Sequence, residues 1–402
     1  MKINTLTFII LLLFSLHSDA QSIKKRCGFD SIYRIQQTDA AYLAKKNKLE
    51  KQRPILKDNS ENVILIPIVV HLIYKDTGEN ISDQQILSQI EVLNEDFRMR
   101  NADTTNVESG FSKVDTKIEF CLAKYDPSGN PTTGIVRYKT NINEIGNTQQ
   151  YYREAKIWDR DYYLNIWVCN LGPTNAGFAY GPGSPADRDG VVIHYQNFGR
   201  LGNLERFFDQ GRTTTHEVGH WLNLLHPWGM AENCNPDNDD EVSDTPLQEK
   251  PYFDCPTPPK TSCGSKDMLS NYMGYVDDAC MGNFTKGQKE RMRTAILTSR
   301  STILQSNACG TVGIKKNNSL EAAVKMFPNP TTKKLFIALE NNIKMEKIKV
   351  DVFQLNGKKV TVAQQITPQG FQLNFKGLET GTYLVLINNE TDRLLKKVIL
   401  IP

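Results

Sequence analysis

The chain has 402 residues, 39% of them hydrophobic and 23% charged, with a formal net charge of +3. That length suggests two or three domains and permits a sizeable core. The near-neutral charge argues against any particular polyanionic partner, and no basic patch interleaved with aromatics is present to bind nucleic acid.

Lys2, an apolar run over residues 7–16 and the small residues around Ala20 make residues 1–20 a secretory signal pattern, with cleavage expected after Ala20. The run is too short for a stable membrane span, and no second apolar stretch approaches that length. Export makes Cys27, Cys121, Cys169, Cys234, Cys255, Cys263, Cys280 and Cys309 candidates for disulfides. Residues 21–60 read as a removable pro-segment. Within it, over residues 42–57, Lys45, Lys46, Lys48, Lys51, Arg53 and Lys57 stand against Glu50 alone, a solvated stretch open to trypsin-like cleavage. The segment contains Arg26-Cys27-Gly28, which has two readings. Cys27 is either a thiolate that blocks the open position of a downstream metal site, or an ordinary disulfide partner.

Residues 61–309 carry the patterns of a catalytic domain. Residues 63–74 form a nearly continuous β-branched run, the signature of a strand buried on both faces. Pro67 places residues 63–66 at an edge or outside the sheet, and His71 reads as a core residue. A helix capped by Ser82 or Asp83 follows, with Ile86, Ile90, Leu93 and Phe97 on its buried face. Strands are expected at 118–125, 134–138, 163–168 and 190–195. The last is read as the edge strand beside the metal helix, where an extended substrate would pair. His194 reads as a surface residue of that strand.

The strongest signal is Thr215-His216-Glu217-Val218-Gly219-His220. On a helix from about 211 to 222, His216 and His220 lie one turn apart on one face and reach a single metal ion, with Glu217 beside them. His226 joins as a third ligand if the chain turns back after Leu222. Three protein nitrogens leave a fourth position open on zinc, the arrangement of a catalytic site. Four cysteines between 234 and 280 lie in a segment rich in Asp, Asn, Pro and Gly; with no Cys-x-x-Cys pair among them, disulfides are favoured over a second metal. Met273 and Tyr275 follow, one a soft floor for the metal site and the other within swinging reach of it. A helix over 285–298 turns Met292, Ile296 and Leu297 inward. Residues 310–324 read as a linker, and 325–402 as short strands with an Asn356-Gly357 hairpin turn, together a small β-sandwich.

With these motifs the region 61–309 resembles the metzincin zinc endopeptidases, and among them the pappalysin-like (ulilysin-like) family. The resemblance implies an α+β fold: a twisted mixed sheet with backing and active-site helices, followed here by the β-sandwich. It implies His216, His220 and His226 as zinc ligands, Glu217 as general base, Tyr275 as a stabiliser of the tetrahedral intermediate and Met273 as the Met-turn. It further implies the disulfides Cys234–Cys263 and Cys255–Cys280, a structural calcium site at Asp239, Asp240, Val242, Asp244 and Thr245, and Cys27 as a latency switch. One departure stands out: Asn223 occupies a turn position where the family usually has glycine. The turn favours positive φ, which asparagine tolerates well.

Residues 325–402 resemble the C-terminal sorting domain of type IX secretion in Bacteroidetes-type bacteria, through Phe327-Pro328-Asn329-Pro330, Leu355-Asn356-Gly357-Lys358, Leu378-Glu379-Thr380-Gly381-Thr382-Tyr383 and Lys396-Lys397. An immunoglobulin-like substrate-binding module is the other reading of this sandwich. The expectation is a zinc endopeptidase acting on extracellular proteins and peptides, secreted or cell-surface after passage through the periplasm and the type IX machinery. A catalytically inactive surface adhesin and a zinc amidohydrolase of non-protein amides are the alternatives.

Overall fold

Two helices lead the described chain. α1 (Phe29–Gln36) buries Phe29, Tyr33 and Gln36. α2 (Ala40–Gln52) buries Tyr42 and Leu49 and leaves most of its lysines in solvent. The computed structural model describes residues 26–52, 62–148, 150–310, 323–339, 348–354, 358–388 and 393–402. The signal pattern, most of the expected linker and the Asn356-Gly357 turn lie outside them. The chain divides into two units, one ending at Cys309 and the other starting at Gly310.

In the first unit β1 (Ile64–Tyr74) and α3 (Asp83–Phe97) are followed by β2 (Ile118–Leu122), β3 (Ile135–Lys139), α4 (Tyr151–Glu154), β4 (Leu164–Cys169), β5 (Gly177–Ala179), β6 (Gly190–His194), α5 (Arg212–Trp221), β7 (Thr261–Ser262), β8 (Ser265–Lys266) and α6 (Lys286–Ser299). The main sheet runs β2-β1-β4-β6-β5, with β3 also on β1. Its pairings are parallel until β5, which is antiparallel to β6. Residues 64–66 lie in the sheet along a stretch of β1 paired with β2 alone, as an edge, and Val63 precedes the strand. Pairing with β4 begins only at Ile68, so Pro67 lies where the strand is flanked on one side, and its missing donor costs no ladder bond.

Alternation sends the two faces of β1 to two cores. Ile66, Ile68, Val70 and Leu72 pack with Ile86, Leu93 and Phe97 of α3, Val218 and Trp221 of α5, and Met292 and Ile296 of α6. On the other face Ile73 joins Tyr151, Trp167, Phe178 and Val192. Ser82 caps α3 by accepting from the Gln85 amide. Thr285 and Gln288 form a reciprocal capping box at α6. Three disulfides brace the unit: Cys121–Cys309, Cys234–Cys263 and Cys255–Cys280. Cys27 and Cys169 are unpaired and buried.

The second unit contains β9 (Val324–Phe327), β10 (Lys334–Leu339), β11 (Lys349–Gln354), β12 (Lys359–Val360), β13 (Ala363–Thr367), β14 (Gly370–Asn374), β15 (Gly381–Asn388) and β16 (Arg393–Leu400). They form two four-stranded sheets, β13-β14-β10-β9 and β12-β11-β15-β16. Both sheets contribute to one core through Leu335, Ile337 and Leu373, and Val352, Val385 and Val398. Asn329 stitches the Phe-Pro-Asn-Pro segment to the last strand. Its amide donates to the Lys397 carbonyl (2.8 Å) and accepts from the Ile399 amide (2.9 Å).

His71 is fully buried on β1, with Nε2 2.9 Å from the Asn165 side-chain oxygen. Burial lowers its pKa to about 4. The fold holds the ring neutral, whereas the unfolded chain takes up a proton below about pH 6.5. Stability is therefore lost as pH falls from about 6.5 towards 4, by roughly 3 kcal/mol from this group. His71→Gln should flatten the urea midpoint against pH in that window; a slope parallel to wild type would refute the assignment.

Candidate metal centre

α5 is clamped at both ends. At its start the buried Asp278 carboxylate accepts from the amides of Gln210 (3.0 Å) and Arg212 (3.1 Å). One turn in, Asp96 of α3 accepts from the Thr215 hydroxyl (2.6 Å) and pairs with the Arg212 guanidinium, which also reaches Asp103. At its end Asn223 has φ of +76°. The Asn223 amide donates to the His220 carbonyl (2.9 Å) and the Leu224 amide to the Gly219 carbonyl (2.9 Å), the paired bonds of a Schellman motif. Asparagine thus fills the turn, and the chain doubles back to bring His226 to the other two histidines.

The three imidazoles meet at their Nε2 atoms, 3.0 Å between His220 and His216, 3.1 Å between His220 and His226, and 3.2 Å between His216 and His226. All three rings are buried. The Nδ1 atoms of His216 and His220 each face a backbone carbonyl, of Tyr272 and Leu224, at 2.8 Å. A carbonyl only accepts, so these Nδ1 atoms donate and the opposite Nε2 atoms carry lone pairs. Burial, then the neighbouring histidines, hold His216 and His220 well below the usual imidazole pKa. Lone pairs that face one another in a dry pocket need a cation between them. Nitrogens at the zinc distance of about 2.0–2.1 Å in tetrahedral array stand roughly 3.3–3.4 Å apart, close to the spacing found, so the residues fit zinc.

Around this point the site is closed. Met273 lies beneath α5 at Gly219, where an added Cβ would stand 2.5 Å from the Met273 sulfur. The Tyr275 ring is 4.9 Å from His226 and 5.7 Å from His216, and burial pushes its phenol well above the usual range. Glu217 is buried beside Cys27, and burial pushes its carboxyl well up.

The leading segment fills the remaining space. Cys27 and the three histidines form one cluster whose ligand atoms all lie within 4.8 Å of one another. Burial and the Glu217 and Asp30 carboxylates push the Cys27 thiol up. Phe29 stacks on His220 with centroids 3.9 Å apart, and Asp30 lies 2.9 Å from His226 Nδ1. Arg26 is buried, 2.9 Å from Asp278 and with its guanidinium 4.6 Å from the centre of the Phe208 ring. The Gly28 amide donates to the Gly177 carbonyl (2.8 Å). Gly177 belongs to β5, which corrects the expected edge: β6 lies inside the sheet between β4 and β5. His194, expected at the surface, is buried, with Nδ1 accepting from the Leu171 amide (3.0 Å).

The acidic loop is arranged differently from the metal cluster. Asp239 and Asp240 accept from the amides of Glu241 and Val242. Asp240 and Thr245 each bury one side-chain oxygen without a hydrogen-bond partner. Asp244, however, is taken up by the start of α6, accepting from the Thr285 hydroxyl (2.7 Å) and the Gly287 amide (3.1 Å), and also from Ser112 (3.2 Å). Among the described residues, groups of three or more His, Cys, Asp or Glu ligand atoms converge at the histidine cluster and not on this loop. Asp278, Phe208, Asp30 and Arg291 escaped the sequence reading. They sit in polar loops or on a helix with no motif to mark them.

A glutamate-bearing helix with two histidines, a third histidine from the following turn and a methionine beneath define a metzincin-type metallopeptidase site. The family model described as pregnancy-associated plasma protein-A matches residues 147–297, and that of the secretion system C-terminal sorting domain matches 325–401. An extracellular metalloprotease of Arthroderma gypseum is 31% identical over 257 residues, covering 62% of this chain and 78% of the relative. Promirolysin of Tannerella forsythia, solved as a point mutant, is 41% identical with a TM-score of 0.64 and covers 70% of this chain and 97% of its own. Mature mirolysin in complex with a cleaved peptide is 45% identical with a TM-score of 0.57, covering 61% and 97%. The chain belongs to the pappalysin family of metzincins and is a secreted zinc metalloendopeptidase.

Gly219→Ala should overpack the floor of the site, costing about 1–3 kcal/mol and weakening zinc retention. Adding Met273→Ala should recover part of the thermal midpoint. Additive losses would show that Gly219 and Met273 do not press on each other.

Proposed function

We propose that His216, His220 and His226 hold the catalytic zinc and that Cys27 takes the fourth position in the unprocessed chain. The observation that carries this is the buried four-residue cluster with its ligand atoms within 4.8 Å. When bound, zinc supplies Lewis-acid polarisation of the scissile carbonyl. Glu217 takes the proton of the attacking water and returns it to the leaving nitrogen. Its buried carboxylate suits that exchange, since burial raises its proton affinity. Tyr275, kept protonated by burial, donates to the oxygen on which charge develops. An extended peptide pairs along β5, where Gly28 sits in the latent form.

The Arg26 pocket supports a preference for a basic residue beside the scissile bond. Asp278 is oriented by two amides and presents its other oxygen to a guanidinium, and Phe208 offers a ring face to the same cation. Residues 21–60 act as the latency segment, which must leave before substrate enters. In the acidic loop, Asp240 and Thr245, with Asp239 and the Val242 backbone, suit a hard cation, and Asp244 stays with α6. Residues 325–402 act as the handle for the type IX export machinery.

In the unprocessed chain Cys27→Ala should raise peptidase activity, whereas adding Glu217→Ala should abolish it by about a hundred- to ten-thousandfold while zinc content stays at one per chain. Unchanged latency in the first variant, or near-normal turnover in the second, would overturn these roles. In the processed enzyme Asp278→Asn should lower kcat/KM for peptides with a basic residue by at least about thirtyfold and leave neutral peptides little changed. An equal loss for both would remove Asp278 from the specificity pocket.

A further inference from the structure

The turn that brings His226 back to α5 is held by a residue outside the motif. Arg291 of α6 is buried, and its Nε donates to the Asn223 carbonyl at 2.5 Å. The far side of the same guanidinium pairs with two carboxylates: Glu241 at 3.0 Å, and Glu50 of α2 at 2.9 and 3.3 Å. Glu50 also accepts from the Asn223 side-chain amide at 3.1 Å, a contact glycine cannot make. The peptide after Asn223 leads directly to Leu224, whose carbonyl fixes His220 Nδ1, and then to His226. A planar fork with its base on one carbonyl and its tips on carboxylates sets the orientation of that peptide; a lysine ammonium lacks this geometry.

We propose that Arg291 is a positioning residue for the zinc-binding turn, and that Glu50 grips the turn through it. The leading segment then holds the metal centre at a second place, remote from Cys27. This rests on the zinc-ligand and latency assignments above. Outer partners of metal ligands typically govern affinity by ten- to a hundredfold, and this one acts one peptide further out.

The test titrates zinc out of the processed enzyme, the chain after tryptic removal of the leading segment, with a chelator. Arg291→Ala should release zinc at about tenfold lower chelator, with kcat reduced and KM within about twofold of wild type. Arg291→Lys should fall between the two, and decides the matter alone if the alanine variant does not fold. Wild-type release curves would overturn the positioning role. In the unprocessed chain Glu50→Ala should speed tryptic cleavage within α2 several-fold and leave the processed enzyme unchanged. An unaltered cleavage rate would overturn the grip. A wild-type chain that retains no zinc would overturn the metal assignment and this proposal together, a result distinct from either of those.

Discussion

Three imidazole Nε2 atoms stand within 3.0–3.2 Å of one another in a buried pocket, and much of the first unit keeps them there. The geometry persists because each ring is tied from behind and the helix is pinned at both ends. The ties are mostly backbone: the carbonyls of Tyr272 and Leu224. Backbone acceptors cannot swing away as side chains do, so the centre is organised before any ion arrives. That lowers the reorganisation cost of binding.

The same rigidity explains how so short a stretch closes the site. Three consecutive residues answer three different demands. Arg26 pairs with Asp278, Cys27 joins the histidine cluster and Gly28 pairs with the edge strand. Phe29 and Asp30 then cover His220 and His226. Each contact is modest, yet they share one backbone and are made together.

Much of this was legible in the residues. The spacing of His216 and His220 defines a helix face, and the residue type at Asn223 was compatible with the positive φ it adopts. The β-branched run at β1 announced burial on both faces. What stayed hidden depends on distant contacts. β5 is three residues long, too short for any period, so the more visible β6 was read as the edge. Asp278 gains its place from amides more than sixty residues earlier and leaves no local mark. Asp244 stands among acidic neighbours, and its hydrogen-bond partners some forty residues on, at the start of α6, left no mark nearby in the sequence. His194 looked exposed because burial of a strand end is decided by the loop that packs over it.

The Cys121–Cys309 bridge joins β2 to the last residue of the first unit across a sequence separation of 188. A covalent loop of that size restricts the unfolded chain by about 5 kcal/mol on the entropic account. It also sets where a mechanical load enters the fold. Beyond Cys309 the chain is anchored both through the backbone to α6 and through sulfur to β2 of the parallel sheet. A pull on the chain beyond Cys309 therefore reaches β2 through the bridge as well as α6 through the backbone.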